Sequence, residues 1–167
     1  MSVKITNAGK EHLGTKLANL NADLKNIREE KAVAYNLSGD AWHDNPGFKK
    51  LEQDEQDKMR EIKRIEDIIV HAEMIEVNRR DTTSMQMGSI GKFDCIYVDF
   101  EETIIYEIVG YGESNLEEGR LQYDTPVALN ITGLRAGEQK KFETPGGVVT
   151  YKLVALYHSW EEAEADG

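Results

Sequence analysis

The sequence predicts an α+β chain in two parts: an antiparallel α-helical coiled-coil hairpin, then a β-rich α+β domain. Three observations say so: heptad spacing of apolar residues in the first 80 positions, a glycine- and proline-bearing break in the middle of it, and β-branched and aromatic runs from residue 93 onward. A chain of 167 residues has room for one ordinary domain or two small ones.

The first helix is read from Leu13, Leu17, Leu20, Leu24 and Ile27, with Ala34 in the same phase and Lys31 interrupting it. The steps of four and three are those of a coiled-coil seam. Thr6 is a candidate N-cap, since its hydroxyl can accept an orphan backbone N–H. The second helix is read from Phe48, Leu51, Glu55, Met59, Ile62, Ile65, Ile69 and Ala72, ending near Asn78-Arg79-Arg80. Between them, Gly39, Pro46 and Gly47 mark a turn. Two heptad helices joined by a short loop pack antiparallel. At 1.5 Å per residue, arms of about 30 residues give a hairpin roughly 45 Å long. The hairpin is assigned to residues 1–80, with its tip at 39–48.

Residues 81–88 are polar and read as a linker. Phe93–Phe100 and Thr103–Val109 read as strands, with Glu101-Glu102 as their turn. Lys140–Thr144 and Val148–Leu156 flank Pro145-Gly146-Gly147, a strong hairpin signal. Pro126–Leu134 is a short helix stopped by Gly133 or Gly137. The domain is assigned to 89–158, and the acidic tail, 159–167, is expected to fray.

Charge is unevenly placed. Residues 1–80 hold 14 Lys/Arg and 15 Asp/Glu, a net of −1, and residues 81–167 hold 6 and 16, a net of −10. Phosphate binding rests on cations, so a chain this acidic is a poor nucleic-acid binder by itself, and a partner must do the holding. Lys49, Lys50, Lys58, Arg60, Lys63 and Arg64 could form a basic face on the second helix, although interleaved acids make a plain solvated face the simpler reading. No apolar run approaches the roughly 20 residues that span a bilayer. Residues 1–10 lack a signal-peptide core. The single cysteine, Cys95, lies in an apolar run, is expected to be buried, and fits a reducing, cytoplasmic compartment.

Several motifs occur in one order. They are Thr6-Asn7-Ala8-Gly9 before the leucine heptads, Gly39-Asp40, Asp44-Asn45 and Phe48 at the tip, Thr125-Pro126-Val127-Ala128, Gly133-Leu134-Arg135-Ala136-Gly137, and Thr144-Pro145-Gly146-Gly147. In this combination the chain, over about residues 5–158, resembles the Gre family of bacterial transcript-cleavage factors. The resemblance implies an FKBP-like C-terminal domain that docks on RNA polymerase near its secondary channel. It also implies a coiled coil that enters the channel, and acidic tip residues that help hold a second Mg²⁺ shared with the polymerase active site. The factor would be an accessory protein rather than an enzyme, a monomer when free, and would meet the nascent RNA 3′ end only within the complex. The family's second tip acid follows the first by three positions. Here the spacing is four, with Trp42 and His43 between, and Gly47 stands where an acid usually follows the asparagine.

Two-metal phosphodiester hydrolysis needs one ion to activate water and another to stabilise the leaving oxygen. Mg²⁺ takes oxygen ligands and keeps several waters, so one or two carboxylates suffice to recruit it. Asp44 is the first candidate ligand of Mg²⁺ or its water; Asp40, close enough to converge with it, would assist the ion or fix the tip. Asn45 could orient a water or cap the second helix. The same residue types are also ordinary in turns and caps. His43 could be a ligand or base, but has no His or Cys nearby in sequence to complete a site. Trp42 is either an exposed contact residue or a plug across the hairpin end. The unusual tip leaves a second reading open, a Gre-like regulator that occupies the channel and inhibits or modulates transcription without promoting cleavage. A third, a prolyl isomerase or chaperone, rests on fold analogy alone.

Overall fold

The computed structural model describes residues 2–77 and 80–167, which divide into two compact units. One contains Lys10–Glu73; the other contains Met74–Gly167 together with Lys4–Gly9 from the beginning of the chain.

In the first unit, helix α1 (Asn7–Ser38) leads through a 3₁₀ turn (Gly39–Asp44) into helix α2 (Pro46–His71). Leu13, Leu20 and Leu24 are buried, as are Phe48, Ile62 and Ile65 on α2, so the heptad seam is the packing surface. Lys31 occupies a seam position. Its ammonium is 2.8 Å from Glu55 and sits 5.4 Å from the centre of the Phe48 ring. Met59, expected in the seam, is 48% exposed. Lys58 is half-buried in its place and bonds Asp23 at 3.2 Å. Three residues on from Glu55 is Lys58, and strict register wins over the more apolar neighbour.

Thr6 caps α1 as expected, accepting from Gly9 N–H at 3.1 Å. The end of α2 differs from expectation. Ala72 is extended, and strand β2 (Glu73–Met74) follows, set against strand β1 (Lys4–Ile5). Glu73 N–H donates to Val3 O and Ile75 N–H to Ile5 O, both at 2.8 Å. These bonds hold the segment extended, so the seam ends before residue 78. Asn78 and Arg79, where the helix end was expected, lie outside the described residues.

The second unit is built on a five-stranded sheet of β3 (Ile90–Ile96), β4 (Glu101–Val109), β5 (Arg120–Gln122), β6 (Gln139–Thr144) and β7 (Gly147–Tyr157), in the order β5-β4-β3-β7-β6. All pairs are antiparallel except β4–β5. Alternate residues of the central strands (Phe93 and Cys95, Val149, Tyr151 and Leu153) face a core closed by helix α3 (Pro126–Ile131) through Ala128 and Ile131. Thr125 caps α3, accepting from Ala128 N–H at 3.3 Å. The chain is thus mixed α+β, with the helical hairpin first and the sheet domain second.

Three boundaries are corrected. The β3–β4 turn is Tyr97–Phe100 rather than Glu101-Glu102, because the ladder runs on to pair Ile96 with Glu101. The supposed linker, 81–88, is part of the domain. Met85 is fully buried, Gly133 N–H donates to its carbonyl at 2.7 Å, and its own N–H donates to Leu134 O at 2.8 Å. One large apolar side chain in a polar stretch is enough to pull it into the core. The acidic tail does not fray but forms helix α4 (Trp160–Ala165). Ala163 is buried and Trp160 Nε1–H donates to Glu107 Oε2 at 2.7 Å, an apolar face that the acidic composition conceals.

Candidate functional site

The hairpin tip is a short 3₁₀ helix of six residues held on its inner side by aromatic packing. Trp42 is half-buried, with its ring centroid 5.0 Å from Phe48 and 5.8 Å from Tyr35. It therefore plugs the hairpin end. Asn45 adds polar fastening: its Nδ2 donates to Ser38 Oγ at 2.7 Å, and its Oδ1 accepts from Gly47 N–H at 2.9 Å as the N-cap of α2. Pro46 follows at the first helical position, where its missing N–H costs nothing. Asn45 N–H donates to Trp42 O at 3.1 Å, closing the turn. The site's asparagine thus works as a cap and a tie to α1.

Asp40 and Asp44 are both exposed, as is His43. A 3₁₀ turn has three residues per turn and rises about 2 Å per residue. Residues four apart therefore stand about 120° apart around its axis and roughly 8 Å apart along it. Asp40 shares its side of the turn with His43, and Asp44 shares its side with Ala41. On ideal 3₁₀ geometry the two acids thus stand on different sides of the helix. His43 rests edge-on against Trp42, with centroids 5.2 Å apart.

Among the described residues, no group of three or more His, Cys, Asp or Glu could hold a metal ion. The donors at the tip are carboxylate oxygens, the type Mg²⁺ takes, but too few to hold it without ligands from elsewhere. Elsewhere, Cys95 is buried and burial pushes its thiol up to about 12, so it is not a nucleophile.

Sequence reasoning missed several supporting residues. Tyr35 lies outside the seam yet completes the aromatic plug, and Ser38 receives Asn45. On the hairpin shaft, Arg28 Nε–H donates to Glu55 at 2.8 Å alongside Lys31, and these two cations hold the Glu55 carboxyl below its usual range. The Thr6-to-Gly9 motif has a local structural task in the second unit. Thr6 Oγ1–H donates to Glu113 at 2.7 Å, and a Cβ on Gly9 would lie 2.6 Å from the Tyr111 carbonyl oxygen. Only glycine admits that approach.

A helical hairpin with an exposed acidic tip, joined in one chain to a small mixed sheet domain, defines an α+β protein that presents carboxylates on the end of a coiled coil. Residues 92–158 match the family model for transcription elongation factor GreA/GreB, C-terminal domain. The transcription elongation factor GreA of Brucella canis and that of Brucella abortus are each 33% identical over 95 residues, covering 57% of this chain and 59% of theirs. Residues 92–158 are thus similar to the C-terminal domain of the GreA/GreB factors. The aligned stretch spans 59% of the length of these relatives. Among solved structures, GreA factor homolog 1 of Thermus thermophilus superposes with a TM-score of 0.41 at 20% identity, over 94% of this chain and 99% of that one. The GreA/GreB factor of Nitrosomonas europaea gives 0.38 at 16% identity, over 93% and 98%.

Proposed function

We propose that this protein is an accessory factor of bacterial RNA polymerase that stimulates cleavage of backtracked nascent RNA. On this reading the hairpin enters the secondary channel and presents its tip to the active site. The observation that carries it is the exposed acidic 3₁₀ turn, braced from below by Trp42, Tyr35 and Phe48, in a chain with a GreA/GreB C-terminal domain. A Mg²⁺ ion shared with the polymerase would activate water and offset charge at the scissile phosphate. Asp44 would lend it an oxygen, and Asp40, on a different side of the turn, would hold an outer water or the turn itself. The aromatic plug keeps these groups in place without reorganisation during the reaction. The test is incubation with a stalled, backtracked polymerase complex and Mg²⁺, reading RNA length. Shortened RNA that resumes extension is expected.

The divergence of Asp40 and Asp44 around the turn favours one alternative, a factor that occupies the channel without promoting cleavage. Slowed nucleotide addition with RNA of unchanged length would establish that reading in the same assay.

A further inference from the structure

The β3–β4 turn of the second unit departs from ordinary turn chemistry. Glycine, asparagine and aspartate favour such turns, yet Val98 and Phe100 stand here 86% and 56% exposed. The turn is well held. Tyr97 N–H donates to Phe100 O at 2.9 Å, and the ladder is paired up to Ile96 and Glu101. The Tyr97 ring stacks on Phe100 with centroids 4.3 Å apart and itself packs against the domain core. An apolar group fixed in this way loses little freedom when covered, and aromatic anchors carry much of the energy of protein interfaces.

The surroundings specify the partner. Asp99, Glu101 and Glu102 are exposed beside the two apolar residues, and residues 81–167 carry a net charge of −10. The sheet domain of a second copy would meet it with like charge, and a nucleic acid would do the same. The complementary surface is a protein face with an apolar pocket ringed by lysine or arginine.

We propose that the Tyr97–Phe100 turn docks into such a face on RNA polymerase, with Phe100 as the anchor and Val98 beside it. The inference rests on the polymerase-binding reading above. Its test is the affinity of the full-length protein for core polymerase. A Val98→Ser/Phe100→Ser variant is expected to bind about tenfold more weakly while reaching wild-type RNA cleavage at saturating factor. Val98→Ser alone, at a position too exposed to affect folding, is expected to bind about threefold more weakly. Glu101→Lys/Glu102→Lys is expected to slow association and flatten its salt dependence. Wild-type affinity in Val98→Ser and in the folded double variant overturns the docking turn and leaves the function intact. Failure of the wild-type protein to bind polymerase overturns both.

Discussion

On the proposed reading Asp40 and Asp44 have different tasks, and single substitutions are expected to show it. Asp44→Ala abolishes cleavage in backtracked complexes and leaves polymerase affinity unchanged, whereas Asp40→Ala retains part of the activity. Gel analysis of RNA length alongside a binding curve checks both. Normal cleavage by Asp44→Ala would end the proposed role of that residue. Asn45 is a stability residue first. Replacing it with alanine removes the cap of α2 and the tie to Ser38, a loss of about 1 kcal/mol in denaturant unfolding. Ser38→Ala removes only the tie and costs less. The sequence offered cap and water-orienting roles for Asn45; the bond from Gly47 N–H gives the first, and the added tie to Ser38 was not legible.

Along the hairpin, the seam changes character from apolar near Leu13 and Ile62 to ionic around Lys31, Glu55 and Lys58. Ionic seam positions fix register at some cost in stability. Lys31 first, and Arg28 after it, hold the Glu55 carboxyl below its ordinary value of 4.5. A depressed carboxylate adds stability that is present above its unfolded value and lost as pH falls through the lower folded one. Thermal midpoints recorded by helix circular dichroism should therefore fall as pH drops below about 4.5, and Glu55→Gln should flatten that limb. The heptads made the helices legible because a period near 3.5 has few other physical causes. The phase at Lys58 was not legible, since hydrophobicity pointed to Met59 and only the partner helix decides between adjacent residues. The strands were legible from their β-branched runs. Met85 and Trp160 were obscured because each is a single anchor in polar surroundings, and their burial depends on residues remote in sequence.

At the scale of the whole molecule, the chain divides in a way its order does not suggest, because Lys4–Gly9 belong with the C-terminal unit. Ile5 is buried, at 1% exposure, and Thr6 and Gly9 are fitted to Glu113 and Tyr111. Burying one isoleucine stabilises by about 1.5–3 kcal/mol. A fragment of residues 74–167 should therefore be less stable, by about 1.5–3 kcal/mol, than the same fragment with residues 1–9 joined by a flexible linker. Chemical denaturation of the two fragments makes the comparison, and equal midpoints would count against the shared unit. The sequence did show Thr6 as a cap and the Thr-x-x-Gly motif as a family mark. It could not show the partner more than a hundred positions away.

That assignment has a consequence for synthesis. The ribosome releases Thr6 long before Glu113, which lies 107 residues later. The two helical arms, whose contacts are local, can assemble while translation continues. Ile5 meets its backbone partner soon after α2 is complete, but Thr6 and Gly9 wait for Glu113 and Tyr111, beyond β4. A ribosome stalled between α2 and β4 therefore holds a finished hairpin whose Thr6 and Gly9 still lack their partners.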